Sequence, residues 1–462
     1  MLAGKKGEVI MFTYVELENF KSFEKIRFDF KKTKDEYKKF VAIYGENGSG
    51  KSNFVSSIEL LSNMMTSYIN LERLQEIKKI LEEKKREYGK LPDDIFERVG
   101  LYELQEDLNK CRTIDNDEIT KVTYGFMIDD KEGYYKVSFD DKSIIEEELY
   151  YIANKQRGQL YRISMENEDI NYKFSSYLFK SDKYSNQIVE LVNMYWGKHT
   201  LLALILGEMK NKNKKFISDT VSPYCLQVID NFMNVFILCK SSKSHTAIIS
   251  GSDIDIRDFE NVEIDLSDLE KKKQLDIIEK IINDFYTQAY TDIVKVYYAP
   301  VSSQQIEENS TTYKLFVEKI IAGKIRVVPF SLESAGTQRV LFVLRAIIEA
   351  INGQTVIYDE IDDGIHDLLM RNILISVQDD ITGQLIITTH NTLLLEDLDP
   401  KCAYVIYVDD EGYKEARCFD DYDIRIQSSH NQRRLYLNGV FGGIPYSSQI
   451  DYSNMHIDSL GE

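Results

Sequence analysis

The 462-residue sequence predicts an α/β fold built on a parallel sheet. Three stretches carry that reading. "GENGSGKS", Gly45–Ser52, has the phosphate-loop spacing G-x-x-x-x-G-K-S, with the apolar run "KFVAIY" before it and a helical pattern after it. "TVIYDE" (Thr355–Glu360) and "LIITTH" (Leu385–His390) are two more short apolar runs ending in polar residues. A helical pattern over about residues 365–378 separates them. Apolar strands alternating with helices mark a parallel sheet, whose ligands bind beyond the strands' carboxyl ends.

Taken in order, the chain up to Tyr44 reads as strands: "FTYVELENF" and "KIRFDF" alternate apolar and polar residues, and "KFVAIYG" is a buried parallel strand. From Ser52 a helical pattern runs, with a break, to about Tyr88. Its apolar stripe of Leu71, Leu74, Ile77, Leu81 and Tyr88 is too short for a long coiled-coil arm. Pro92 interrupts, and a second helical segment reaches about Asn109. "KVTYGFMI", "YYKVSF", "IIEEELYYIA" and "QLYRISM" are spaced like an antiparallel meander. Residues from about 185 to 240 read as helical, punctuated by Pro223. "HTAIIS" and "NVEIDL" read as strands, and "LEKKKQLDIIEKIINDFYTQA" as an amphipathic helix. A polar segment to Tyr313, a helix over 314–322 and a strand at Ile325–Val328 lead to "FSLESAGTQRVLFVLRAI" (Phe330–Ile347). There a polar turn opens onto a long apolar helix. Such an N-terminus suits an anion.

The chemistry follows from residue type and spacing. Backbone N–H groups of Gly45, Glu46, Asn47, Gly48, Ser49, Gly50, Lys51, Ser52 and Asn53 are placed to wrap phosphates. Lys51 is expected to reach the β- and γ-phosphates of ATP, and Ser52 to hold Mg²⁺. The "TVIYDE" strand delivers Asp359 to bind Mg²⁺ and Glu360 to polarise an attacking water as general base. His390, at the end of a third strand, is placed to sense the γ-phosphate, although a histidine at a strand end is more often only a solvated loop residue.

Phosphate loop, polar turn, "DE" strand and histidine, in that order, resemble the ATPase heads of the SMC, RecF and ABC superfamily. The resemblance implies an ABC-type P-loop NTPase head with a mixed β-sheet lobe. A compact, mostly helical insert would lie between phosphate loop and signature motif. Ser334, Gly336 and Thr337 occupy the signature positions, with Gln338 and Arg339 following, although the stretch departs from the transporter form LSGGQ. Such signatures bind the γ-phosphate held by another protomer, so the resemblance implies hydrolysis in a head-to-tail homodimer. "DDGIH" (Asp362–His366) lies where these ATPases carry a D-loop, with Asp363 and His366 its candidate residues. "LENFKSF" resembles the first strand and turn of SMC- and RecF-like heads, making Lys21 and Ser22 candidate nucleotide contacts. The core is assigned to 11–60 and 323–446. The insert is 61–322: a helical hairpin at about 61–110, antiparallel strands at about 119–165 and a helical region at about 185–290. A tail covers 447–462.

The compact insert and "RRLYLNGVFGGIPY" (Arg433–Tyr446) resemble stand-alone bacterial anti-phage and abortive-infection ATPases of the AriA, RloA, PtuA and AbiL types. A plain reading of that motif is a β-hairpin turn closing the domain. The resemblance implies a homo-oligomeric sensor or scaffold. It would answer a phage-encoded trigger and control a separate effector: a TOPRIM or HNH nuclease, or a toxin. No nuclease site of its own is expected, since "VDDEG" reads as a hairpin turn, "DIDIRD" (Asp253–Asp258) as an exposed loop, and 72 residues after His390 are too few for a TOPRIM domain. The alternative is a RecF/SMC-like repair ATPase that binds DNA when ATP is bound. A net charge of −19, from 57 basic and 76 acidic residues, counts against it. Hydrophobic content of 43% and charged content of 29% suit a globular protein. No apolar run approaches the ~20 residues of a membrane helix. The N-terminus has no signal-peptide pattern, and the five cysteines are scattered, so the expected location is cytoplasmic.

Overall fold

The computed structural model describes residues 10–33, 36–88, 103–153, 156–167, 169–239, 260–265, 268–301, 310–422 and 431–444. The fold is mixed α/β with several sheets. Strands β1 (Met11–Phe20) and β2 (Phe23–Asp29) form a hairpin, and β3 (Phe40–Tyr44) leads through the phosphate loop into helix α1 (Lys51–Tyr88). Helix α2 (Leu104–Cys111) precedes a meander of β4 (Thr120–Ile128), β5 (Lys131–Phe139), β6 (Ile144–Ala153), β7 (Gln156–Glu166) and β8 (Asp169–Phe174). Helices α3 (Asp182–Tyr195), α4 (Leu201–Asn211), α5 (Lys214–Thr220) and α6 (Pro223–Met233) end at β9 (Phe236–Leu238). Next come β10 (Asn261–Asp265), α7 (Leu269–Ala289), β11 (Ile293–Val301), β12 (Ser310–Ile321) and β13 (Lys324–Pro329). Then follow α8 (Ala335–Ile351), β14 (Thr355–Tyr358), α9 (Asp367–Val377), β15 (Gln384–Thr388), β16 (Ala403–Val408), β17 (Lys414–Cys418) and α10 (Gln432–Leu437).

A six-stranded sheet has the order β17-β16-β3-β15-β14-β9, parallel except for the β16–β17 hairpin. Strands β3 and β15 are buried along their whole length, as expected for a sheet covered on both faces. A seven-stranded antiparallel sheet, β2-β1-β4-β5-β6-β7-β8, lies beside it. Gln384 joins the two: its Oε1 accepts from Phe12 N at 2.8 Å, and its Nε2 donates to the carbonyls of Phe12 and Lys38, each at 3.0 Å.

Several sequence expectations change. The segment read as a helix over 314–322 is strand β12 through Ile321: its neighbours β10, β11 and β13 pair on both sides of it, and ladder bonding overrides a helical reading of a short apolar run. Residues 236–238, read as helical, form β9 and complete the edge of the parallel sheet beside β14. The insert combines its helices with strands that join the core sheets. It lends β9 to the core sheet, and its meander extends the β1–β2 hairpin through the β1–β4 pair. Helix α1 runs without a break. The "VDDEG" turn is a hairpin loop between β16 and β17, held by Asp409 Oδ1, which accepts from Glu411 N at 3.0 Å and Tyr413 N at 2.8 Å. "HTAIIS", "DIDIRD", Pro92 and residues 447–462 lie outside the described residues.

The meander and helices α3–α4 are tied by one carboxylate. Glu147 is fully buried and accepts from Tyr135 Oη at 3.0 Å, Tyr161 Oη at 2.7 Å, Trp196 Nε1 at 2.8 Å and Leu201 N at 2.8 Å. Burial pushes its carboxyl above the usual range, and the four donors oppose that push.

Candidate nucleotide site

The phosphate loop leaves the carboxyl end of β3 and turns through Gly45, Gly48 and Gly50, at φ of 153°, 83° and 113°. Space as well as conformation demands glycine. A Cβ on Gly45 would lie 2.5 Å from Ser49 Oγ, and one on Gly50 would lie 2.5 Å from the Phe23 ring. Lys51 folds back over the loop, donating to the carbonyls of Gly45 at 2.8 Å and Glu46 at 3.0 Å. Ser49 Oγ is buried and has no hydrogen-bond partner among the described residues. A buried hydroxyl of this kind, packed against Gly45 in a glycine-rich loop over which Lys51 folds back, fits phosphate oxygens.

The acidic strand ends beside the loop. Asp359 is buried, and its Oδ1 accepts from Thr388 Oγ1 at 2.6 Å. Thr388 Oγ1 in turn accepts from Glu360 N at 2.7 Å, so one β15 hydroxyl orients both acidic residues. Glu360 has φ of 50°, a left-handed conformation rare for a non-glycine residue, and its backbone is held by that bond. Burial lowers the affinity of Lys51 for its proton, and the carboxylates of Glu360, Asp359, Asp362 and Glu46 oppose this. His390 is lowered from its ordinary value by partial burial and by Lys51, against the pull of Asp362, Glu360 and Asp359. These mutual influences place Lys51, Asp359, Glu360, Asp362 and His390 in one electrostatic cluster. Ser52 is exposed at the first turn of α1.

Asp362 sits between the acidic strand and the histidine, accepting from His390 N at 3.1 Å. Burial raises its carboxyl. The resemblance points to Asp363 and His366 as D-loop residues. In the structure Asp363 pairs with Arg339, and His366 Nδ1 caps α9 by accepting from Leu368 N at 3.2 Å.

Ser334, Gly336 and Thr337, the residues expected at signature positions, form a second cluster. Ser334 caps α8, accepting from Thr337 N at 3.1 Å, with Thr337 Oγ1 2.8 Å away. Gly336 packs against the Asp362–His366 segment so closely that a Cβ would lie 2.5 Å from the carbonyl oxygen of Gly364. Tyr286, buried on α7, donates to the carbonyl of Thr337 at 2.7 Å. Nothing in the local sequence announces that support, because it comes from a helix about fifty residues away. Between the two clusters a cleft is lined by Arg339, Phe342, Tyr358, Asp359, Glu360 and Asp363.

Lys21 and Ser22 reach the loop's flank. Lys21 Nζ donates to Ser56 Oγ at 2.8 Å, and Asn53 Nδ2 donates to Ser22 Oγ at 2.7 Å. The C-terminal motif is not a hairpin turn. It is helix α10 followed by a glycine turn packed behind the phosphate loop, where a Cβ on Gly443 would sit 3.5 Å from Gly45 Cα and 2.2 Å from Val405. Tyr436 on α10 packs on Tyr44, the last residue of β3.

Residues 210–396 match a family described as an AAA domain, putative AbiEii toxin, Type IV TA system. No curated protein matches the chain. Among solved structures, the chain is similar to an SMC head bound to the C-terminal winged-helix domain of ScpA, at 11% identity and TM-score 0.42, covering 88% of this chain and 98% of that one. It is similar to an SMC head domain from Thermotoga maritima at 12% identity and TM-score 0.37, covering 88% and 98%. It is also similar to the recombination mediator RecF with ATP, at 12% identity and TM-score 0.36, covering 89% and 100%.

Proposed function

We propose that this protein is an ATP-binding and ATP-hydrolysing enzyme whose sites are completed by a second copy, and that it serves as a homo-oligomeric sensor or scaffold in bacterial anti-phage defence. The observation carrying the ATPase reading is the convergence of Lys51, Asp359, Glu360 and His390 at the carboxyl ends of three adjacent parallel strands. Loop N–H groups and Lys51 bind and orient the phosphates. Ser52 and Asp359 would hold Mg²⁺, which neutralises charge on the transferring phosphoryl group. Glu360 accepts the proton of the attacking water, and His390 contacts the γ-phosphate. Ser334, capping an outward helix, supplies its hydroxyl and the α8 N-terminus to a neighbour's nucleotide. Support for the defence role is the likeness of residues 210–396 to a family described with a toxin system, together with the resemblance at the chain's two ends. Control of a separate nuclease or toxin effector is part of the same proposal.

The mass in solution tests it, for wild type and Lys51→Ala, each with and without ATP and Mg²⁺. An ATP-dependent assembly that Lys51→Ala abolishes is expected. A chain that stays monomeric with ATP even as Glu360→Gln, which slows hydrolysis and traps the closed state, overturns the composite-site reading. Co-expression with the neighbouring gene product separates the roles. A captured effector supports defence, whereas an ATP-dependent dimer that binds DNA and no companion protein points to repair.

A further inference from the structure

Lys414 opens β17, immediately after the hairpin turn that Asp409 and Gly412 shape. Register pairs it with Val408. That placement carries its half-buried side chain across to the phosphate loop, more than 360 residues away in sequence. There Nζ donates to the carbonyl of Gly48 at 2.9 Å and to Ser22 Oγ at 2.7 Å. Ser22 Oγ also accepts from Asn53 Nδ2, so the β1–β2 turn, the loop tip, the first turn of α1 and the β16–β17 hairpin meet at one ammonium. Phe23, whose ring lies under Gly50, is 5.8 Å from the same Nζ.

The Gly48–Ser49 peptide is planar and trans, so its carbonyl and its N–H point in opposite directions. With the Gly48 carbonyl held outward by Lys414, the Ser49 N–H is aimed into the loop, where it donates to the Glu46 carbonyl at 3.2 Å. Gly48 is at φ 83° with open space around it, so that peptide is held not by side-chain packing but by hydrogen bonds at its two ends, from Ser49 N to Glu46 and from Lys414 to the Gly48 carbonyl. An inverted peptide would present a carbonyl oxygen to an anion. Lys414 thus has two consequences for a phosphate: it orients a donor, and it adds a positive charge at the loop's rim, which burial and Glu46 modulate.

We propose that Lys414 is a positioning residue for the nucleotide, clamping the tip of the phosphate loop in its phosphate-binding form. This rests on the ATPase reading. Because the tip faces the phosphates common to ATP and ADP, affinity for both depends on Lys414, whereas the hydrolytic step at Glu360 does not.

Calorimetric titration of the full chain with ATP and with ADP, in Mg²⁺, compares wild type with Lys414→Met, Lys414→Arg and Lys51→Ala. Losing one charge-assisted bond at the tip is expected to weaken both nucleotides about tenfold in Lys414→Met. Arginine is expected to restore most of the affinity, and kcat at saturating ATP is expected to stay within about twofold of wild type. If Lys414→Met binds like wild type while Lys51→Ala does not bind, the Lys414 proposal is overturned and the phosphate-loop reading stands. If wild type binds neither nucleotide, the ATPase reading itself falls. A loss that arginine fails to rescue also overturns the clamp. Ser22→Ala, which removes the hydroxyl anchoring Nζ, gives the same comparison should the methionine variant fail to fold; the clamp predicts weakened binding of both nucleotides, and wild-type affinity overturns it.

Discussion

Thr388 carries more of the candidate site than its type suggests. Its hydroxyl donates to Asp359 and accepts from Glu360 N, fixing the proposed metal ligand and the proposed general base with one oxygen. Thr388→Val keeps the shape and removes both bonds, leaving a buried carboxylate oxygen and a backbone N–H short of partners, at a cost of about 2–3 kcal/mol of stability. ATP turnover is expected to fall at least about tenfold, because Glu360 is then free to leave its left-handed conformation. Thr388→Ser retains the hydroxyl and is expected to keep most of the activity. Thermal melting and steady-state ATPase assays on the pair check this, and equal loss in both variants would count against the hydroxyl's role. Residues of this kind were only partly legible in the sequence. The phosphate loop, Asp359, Glu360 and His390 stand at motif spacings that local chemistry explains. Thr388, Asp362 and Tyr286 act through contacts made by folding, and no spacing rule connects them to the residues they hold.

At the scale of elements, legibility followed bonding partners. The β4–β7 meander and the strands β3, β14 and β15 could be read because alternation, or continuous burial, is written in their own residues. Strands β9 and β12 could not. One has three residues, and the other has a lysine-containing apolar run that suits either period, so the neighbouring strands decide. The packing of α1 against the later helices offers a test of element coupling. His199, just before α4, is buried, with Nδ1 3.1 Å from Ser67 Oγ on α1 and the Tyr68 ring edge-on. Burial, helped by Lys198, pulls it from its ordinary 6.5 to about 4. The unfolded chain therefore takes up this proton near pH 6.5 and the folded chain only near pH 4. Stability from neutral His199 is fully present above pH 6.5 and is lost as pH falls toward 4, by up to about 3 kcal/mol in total. His199→Gln is expected to remove that share of the pH dependence. Denaturant midpoints at pH 7 and pH 4.5 in both proteins measure it, and parallel slopes would refute the assignment.

For the whole molecule, the composite site proposed above requires the Ser334–Thr337 turn and the Asp362–His366 segment of one chain to act together on a nucleotide held by a second copy. The fold answers by packing the two together: Gly336 lies against the Gly364 carbonyl, Arg339 pairs with Asp363, and Tyr286 holds Thr337 from behind. They form one surface, and that surface leads through Asp362 to His390 and through Glu360 to Asp359, the proposed metal ligand. On the proposed composite site, a partner's phosphate that pulls on Ser334 is therefore expected to move the segment that carries Glu360. Gly336→Ala tests the linkage, because its Cβ would meet a backbone oxygen at 2.5 Å and must push the D-loop away from α8. The fold is expected to survive, with a loss of about 1–3 kcal/mol from overpacking. Binding of ATP by the isolated chain is expected to stay near wild type, since the phosphate loop is untouched. The ATP-dependent dimer of Glu360→Gln is expected to disappear when Gly336→Ala is added, read as mass in solution with ATP and Mg²⁺. A double variant that still dimerises would mean that signature and D-loop do not need their close approach. The two would then contribute to the interface separately.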